Sequence, residues 1–241
     1  MEIHPRIKNP HEKIKLPRII LGSFPTWHLS SPDLDKKETF LEKETLRIAN
    51  KDMSYFFGSS KNKFWDWYGF YVDGSIDKKN EFSLISSLKK NEIGITDVIL
   101  GCIRTGKSAL DQHLRSRIYN HDFFAYPKSG QKLKILCTSK GVMNEMLLNR
   151  LFFDKHPSLK MNIRASLAGQ ERIKKAMNFR TLPIKSFFCS IEVFDGGTIE
   201  CFAIPSPGSP FRKLKEFGLT EENNAIFLNE YLKNVFIWFL K

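Results

Sequence analysis

No Cys-x-x-Cys pair occurs in this chain. Its four cysteines, Cys102, Cys137, Cys189 and Cys201, are widely spread and three lie inside apolar runs, so a closely spaced zinc or iron–sulfur site is not expected. Buried free thiols in a reducing compartment are the natural reading. No stretch approaches the ~18 uninterrupted apolar residues of a membrane-spanning helix. Residues Met1 to Pro17 form a polar, charged lead-in without the apolar segment of a signal peptide. A soluble, cytoplasmic protein with no membrane partner is expected. Internal repeats and low-complexity segments are missing too. Acid is also in short supply: 26 Asp plus Glu stand against 38 Lys plus Arg, giving a net charge of +12. The basic residues are dispersed with aromatics between them rather than gathered in a tail, a pattern that suits a polyanionic partner such as nucleic acid.

What is present is enough for a sizeable core. The 241 residues, 41% of them hydrophobic, read as one domain spanning 1–241. Apolar runs at Arg18–Leu21 and Ile95–Cys102 predict buried strands, and Lys132–Thr138, which alternates basic and apolar residues, predicts a third. Ser186–Phe194 and Thr198–Ile204 flank Asp195-Gly196-Gly197, which signals a hairpin or tight connection. Helical patterns fall near Lys36–Asn50, Lys61–Tyr68, Phe82–Leu88, Lys107–Ile118, Gln170–Asn178 and about 221–240. Another opens at Ser139, with Val142, Met146, Leu147 and Leu151 at helical spacing. Strands alternating with helices predict an α/β three-layer sandwich, with a central, mostly parallel, four-stranded sheet flanked by helices.

Two loops stand out at the exits of apolar runs, Leu21-Gly22-Ser23-Phe24-Pro25 and Ile204-Pro205-Ser206-Pro207-Gly208-Ser209. A third segment, Phe57-Gly58-Ser59-Ser60-Lys61-Asn62-Lys63-Phe64-Trp65, lies downstream of the first. Gly and Pro at the end of a buried strand let the chain turn sharply and expose N–H groups, and in open α/β sheets ligands gather at such carboxyl ends. These segments are candidates for one site.

Together they resemble the uracil-DNA glycosylase superfamily, most closely its hypoxanthine-DNA glycosylase-like branch. The matching residues are Leu21–Pro25, Tyr55–Gly58, Asn62–Trp65, Ile93–Val98 with Cys102–Arg104 and Gly106–Ser108, and Ile204–Pro210, in order between about Arg18 and Arg212. The resemblance implies a monofunctional glycosylase that removes a deaminated base, hypoxanthine or uracil, from DNA in base excision repair. It also implies a monomer that uses no cofactor and no metal. Catalytic duty carries over to Asn62, whose amide oxygen would hold a water in line with C1′ of a flipped nucleotide. Gly22, Ser23, Phe24, Pro25, Phe57 and Gly58 would bind the base, with Phe57 stacking on it. Lys140, Pro205, Ser206, Pro207, Gly208, Ser209 and Arg212 would contact the DNA backbone.

The chain also departs from the family pattern. Phe24 stands where many relatives carry Asp or Asn, and Ile204 where some carry His. Ser59-Ser60 replaces the usual His-Pro, and Gly208 replaces the residue that wedges into the DNA stack. The base-reading Asn of the relatives aligns with Gly101 or Cys102. Two alternatives stay open: a catalytically silent nucleic-acid-binding relative, and a P-loop protein using Gly101–Ser108, a literal Gly-x-x-x-x-Gly-Lys-Ser after an apolar strand. Read alone, Asn62 could simply cap a helix, and Phe64, Trp65 and Trp67 could be core packing.

Overall fold

The computed structural model describes residues 1–7, 12–30, 37–106, 113–148, 150–176, 187–211 and 221–241. Its centre is the strand Arg18–Gly22, in which Ile19, Ile20 and Leu21 are fully buried. An uninterrupted apolar run suits a strand covered on both faces and paired on both sides. In chain order the strands are β1 (Glu2–Ile3), β2 (Arg18–Gly22), β3 (Ile93–Asp97), β4 (Ile99–Arg104), β5 (Leu114–Tyr119), β6 (Lys132–Cys137), β7 (Leu159–Met161), β8 (Phe188–Val193) and β9 (Thr198–Ala203). β2 pairs in parallel with β3 and with β6, and β6 pairs in parallel with β9.

The expected mostly parallel four-stranded sheet is therefore corrected to a larger one, of which β3, β2, β6 and β9 are the parallel part. β8 adds antiparallel to β9 and β7 antiparallel to β8, giving a six-stranded mixed sheet of order β3-β2-β6-β9-β8-β7. The extension follows from the Asp195-Gly196-Gly197 turn. Gly196 takes a φ of +81°, which suits the turn that folds β8 back against β9, and Gly197 is required by close approach, since its Cβ would lie 2.1 Å from the Pro127 carbonyl oxygen.

A second, antiparallel sheet has the order β1-β4-β5. It corrects three expectations. The strand expected over Ile95–Cys102 is two strands, because the chain leaves the main sheet at Val98. The helix expected over Lys107–Ile118 is overturned in its second half: Leu114–Tyr119 is a strand, held by the ladder to β4 despite its helical spacing, with register shifts and a positive φ at Ser116 marking the irregular pairing. Residues 107–112 lie outside those described. Finally, the polar lead-in contributes structure, since Glu2 and Ile3 pair with Cys102 and Gly101 and His4 beside them is buried.

Between β2 and β3 lie α1 (Lys37–Ala49), α2 (Phe64–Tyr71) and α3 (Glu81–Lys90). After β6 come α4 (Lys140–Met143), a π-helical turn at Asn144–Leu148, α5 (Arg150–Lys155) and α6 (Ile163–Ala176). The last helix, α7 (Glu221–Leu240), buries Phe227, Leu228, Tyr231, Leu232, Val235, Phe236 and Phe239 along one stripe. Asn80 caps α3 by accepting from the amides of Phe82 and Ser83, and Ser139 caps α4 by accepting from Val142. The carboxyl end of α7 is met by cations from the sheet: Arg18 donates to the Phe239 and Leu240 carbonyls at 3.1 and 2.6 Å, and Lys134 donates to Trp238 at 2.8 Å. No helix among the described residues is long and apolar enough to cross a membrane.

Candidate functional site

Because β2, β3, β6 and β9 run in parallel, their last residues Gly22, Asp97, Cys137 and Ala203 share one edge of the sheet. From β2 the chain goes on to β3 on one side, whereas β6 leads to β9 on the other. The loops that follow β2 and β6 thus diverge, and such a switch point is where open α/β sheets form a ligand crevice. Loop amides knit the edge together. Thr138 donates to the Leu21 carbonyl at 2.9 Å, Ile204 to Cys137 at 3.0 Å, Val98 to Gly22 at 2.9 Å and Ile99 to Ser23 at 3.0 Å.

The Phe57–Trp65 segment joins the same edge. Lys63 donates its amide hydrogen to the Pro207 carbonyl at 3.1 Å, which links it to the Pro-rich loop. At its other end the Phe57 ring lies over Gly22: a Cβ on Gly22 would be 2.4 Å from Phe57 Cε1 and 2.0 Å from Asp97 Oδ1. Glycine is required there by close approach. Gly58 is required for a similar reason, since its Cβ would lie 2.0 Å from the Met53 carbonyl oxygen. Phe57 holds a φ of +56°, uncommon for a bulky residue, and its ring packs at 4.8 Å on Phe64. Trp65 donates from Nε1 to the Phe56 carbonyl at 2.7 Å, and neighbouring Tyr55 has its phenol pushed up to about 12 by burial.

The structure thus brings Gly22, Ser23, Phe57, Gly58, Asn62 and Pro207 into one neighbourhood, though with differing roles. Phe24 points inward: it is 9% exposed, edge-on to His4 at 5.9 Å and under the Arg104 guanidinium at 5.6 Å, so it packs the interior. The Pro25 carbonyl accepts from Arg104 at 2.7 Å. Asn62 is half-buried, and its Oδ1 accepts from the Phe64 amide at 2.9 Å at the start of α2, the capping role that its residue type allows. Pro205 and Pro207 are buried, Ser206 and Ser209 are half-buried, and Ser209 donates its amide hydrogen to the Ser206 carbonyl at 3.0 Å to close a turn. Gly208 is exposed at the tip of that turn, with nothing within 4 Å of where a Cβ would stand. Lys140 is exposed at the start of α4. Arg212, Lys107 and Ser108 lie outside the described residues.

Sequence reasoning missed the polar supports of this edge. His4 and Asp97, 4% and 3% exposed, are hydrogen-bonded at 2.8 Å between Nε2 and Oδ2. His4 Nδ1 accepts from the amides of Arg6 and Ile7, so Nε2 carries the hydrogen that is donated to Asp97. Asp52, also buried, bonds His28 with one oxygen and accepts the Ser60 amide at 2.5 Å with the other, tying the Trp27–Leu29 turn to the Phe57–Trp65 segment. Arg104 donates to Glu2 at 3.0 Å with its side chain 2% exposed. An acid closing the apolar run Ile93–Val98 was the one signal for Asp97; nothing in the lead-in marked His4.

The P-loop alternative loses its starting point. Gly101–Arg104 is the extended second half of β4, paired with β1 and β5, so no phosphate-cradling loop begins at Gly101. Among the described residues no group of three or more His, Cys, Asp or Glu side chains could hold a metal ion. Compared with protein-family models, curated proteins and solved structures, the chain finds no match.

Proposed function

We propose that this protein is a DNA glycosylase-like enzyme that hydrolyses the N-glycosidic bond of a flipped, deaminated base, acting as a cytoplasmic monomer without a cofactor. The observation that carries the reading is the meeting of three distant segments at the carboxyl edge of parallel strands: Gly22–Ser23 at the end of β2, Phe57–Lys63, and the Pro205–Ser209 turn after β9. A glycosylase needs these parts together, because it must hold a phosphate backbone, accept an extruded base and present a water to C1′.

In this scheme the Pro205–Ser209 turn and Lys140 face the phosphates, and Phe57 stacks on the base. The bond breaks through a sugar of oxocarbenium character. Asn62 orients the attacking water rather than deprotonating it, since an amide oxygen is a poor proton acceptor but a good hydrogen-bond acceptor. Its Oδ1 has a second lone pair beyond the one taken by Phe64. Backbone amides that follow Gly22 would stabilise negative charge on the departing base.

The test is base release from oligonucleotides carrying one deoxyinosine, deoxyuridine or deoxyxanthosine, scored after alkaline cleavage of the abasic site. Asn62→Ala is expected to lower release on the order of 100-fold, the size of a lost positioning contact. Asn62→Ser keeps an acceptor for the Phe64 amide, so a matching loss in that variant with unchanged thermal stability would assign the effect to chemistry rather than capping. A catalytically silent DNA-binding relative is the second reading, favoured by the Oδ1 of Asn62 already serving Phe64. No release from any substrate together with DNA binding would establish it.

A further inference from the structure

An antiparallel sheet with one face on the core and one face in water ordinarily carries polar residues on the wet side, and the small sheet β1-β4-β5 does not. Its inner face is sealed: Cys102 and Leu114 are buried, and Arg104 donates to Glu2 beneath it. On the outer face the register sets Ile3 and Ile118 on either side of Gly101, with Ile103 one pleat further along β4. These three isoleucines are 53%, 45% and 50% exposed. The bare α-carbon of Gly101 leaves a hollow between them, where a Cβ would meet Ile118 Cδ1 at 3.6 Å and Met1 Sδ at 4.0 Å. Single exposed apolar side chains are ordinary, but a contiguous group on one face marks a docking surface.

Charge and shape narrow the partner. Arg115 stands opposite Ile103, is exposed and pairs with no acid among the described residues. The one acid of the three strands, Glu2, is turned inward to Arg104 and Ser30. Three aliphatic side chains beside one cation make the apolar centre and charged rim of a protein interface, whereas interfaces with DNA are far richer in positive charge. Strand addition at the free edge is disfavoured, because the register shifts and the φ of +46° at Ser116 bulge β5 and break its pairing pattern. Contact must therefore come across the face. Three strands about 4.8 Å apart span about 10 Å, the diameter of one α-helix with its side chains.

We propose that the outer face of β1-β4-β5 docks an acidic amphipathic helix of a partner protein. One large apolar side chain of that helix sits over Gly101 between the isoleucines, and an acidic one pairs with Arg115. Such docking does not depend on base excision. It holds the partner beside the candidate edge, because the amides of Val98 and Ile99, where this sheet begins, donate to the Gly22 and Ser23 carbonyls, and Arg104 donates to Pro25 at 2.7 Å.

The probes are displayed random peptides of about 14 residues, long enough as a helix to cover the six residues of β4, selected against the full chain. The strongest binder is synthesised with its Asp and Glu intact and again with each changed to Lys. Recovered peptides should combine apolar residues at helical spacing with acids, and the acidic form should bind at least about tenfold more tightly than the Lys form. In the wild-type chain labelled at the isoleucine δ1 methyls, the NMR signals of Ile3, Ile103 and Ile118 should shift on binding while those of buried Ile19 and Ile135 stay in place. Arg115→Glu should invert the preference between the two peptides. Ile103→Asp should weaken the acidic form at least about tenfold without lowering the thermal midpoint, since that side chain is half exposed. Selection without an acidic, apolar pattern, methyl shifts confined to other isoleucines, or a preference that survives Arg115→Glu overturns the proposal. If duplex DNA moves the same three methyl signals and displaces the peptide, the face belongs to nucleic acid and the protein partner falls.

Discussion

At the scale of the residue, the glycines divide by what surrounds them. Gly22→Ala drives a methyl group into Asp97 and Phe57, so it should cost about 1–3 kcal/mol in chemical denaturation, the range for overpacked interiors, and should suppress any base release. Gly208→Ala points into open space and should stay within about 0.5 kcal/mol of wild type. Gly22 was legible in the sequence because a glycine that closes an apolar run marks a sharp turn or a close approach. His156 was not, since a lone histidine carries no pattern. It is 3% exposed, with its Nε2 hydrogen donated to the His121 carbonyl at 2.9 Å, so Nδ1 accepts from Tyr126 at 2.6 Å. Burial holds it below the ordinary value of 6.5, and His121 is lowered by burial in the same way. The unfolded chain therefore protonates first. Stability should be full above about pH 6.5 and fall as pH drops below it, by up to about 1.4 kcal/mol per pH unit for each group. Urea titrations between pH 5 and 7.5 should show a shallower slope in His156→Gln; an identical slope would move the acid sensitivity elsewhere.

At the scale of the element, the sequence pattern located β2, β6, β8 and β9 and most helices, but it fused β3 with β4 and missed β1, β5 and β7, which tertiary pairing creates. The run Ile19–Leu21 is so apolar that only a doubly covered strand suits it, Lys132–Thr138 alternates basic and apolar residues before Ile135-Leu136-Cys137, and the two are neighbours in the sheet. Leu114–Tyr119 failed as a helix because its partner, β4, is reached only through the tertiary fold. Neither could the sequence reveal that Arg18, the first residue of a strand, would serve two helices. It donates to the last carbonyls of α7 and, at 3.1 Å, to Asn91 just after α3. Arg18→Met keeps most of the apolar stem but leaves those carbonyls without their cation, so a loss of about 2 kcal/mol is expected, on the scale of charge-assisted hydrogen bonds at a helix terminus. Thermal denaturation and hydrogen exchange at the end of α7 check it; if the helix end stays protected, Lys134 alone supplies the cap.

For the whole molecule, the arrangement of charge bears on function more directly than its sum. The candidate edge is assembled from segments far apart in sequence, so its existence was legible only as three loops with similar punctuation, and their convergence required the parallel order of β3, β2, β6 and β9. The buried polar pairs that brace it were invisible because each joins the lead-in or a distant loop to a strand end, as His4 does with Asp97 and Glu2 with Arg104. With +12 net charge and exposed cations such as Lys61, Lys63 and Lys140 on the segments that form this edge, a nucleic acid partner should bind chiefly through its phosphates. The logarithm of affinity should then fall linearly with the logarithm of salt concentration, by about 0.9 per phosphate neutralised on a duplex and about 0.7 on a single strand. Measured on both forms by fluorescence anisotropy, the slopes count the contacts. Lys140→Ala should flatten the duplex slope by about one contact while leaving stability unchanged. A slope near zero would mean that the surplus charge serves solubility alone, and the nucleic acid reading of this edge would fall with it.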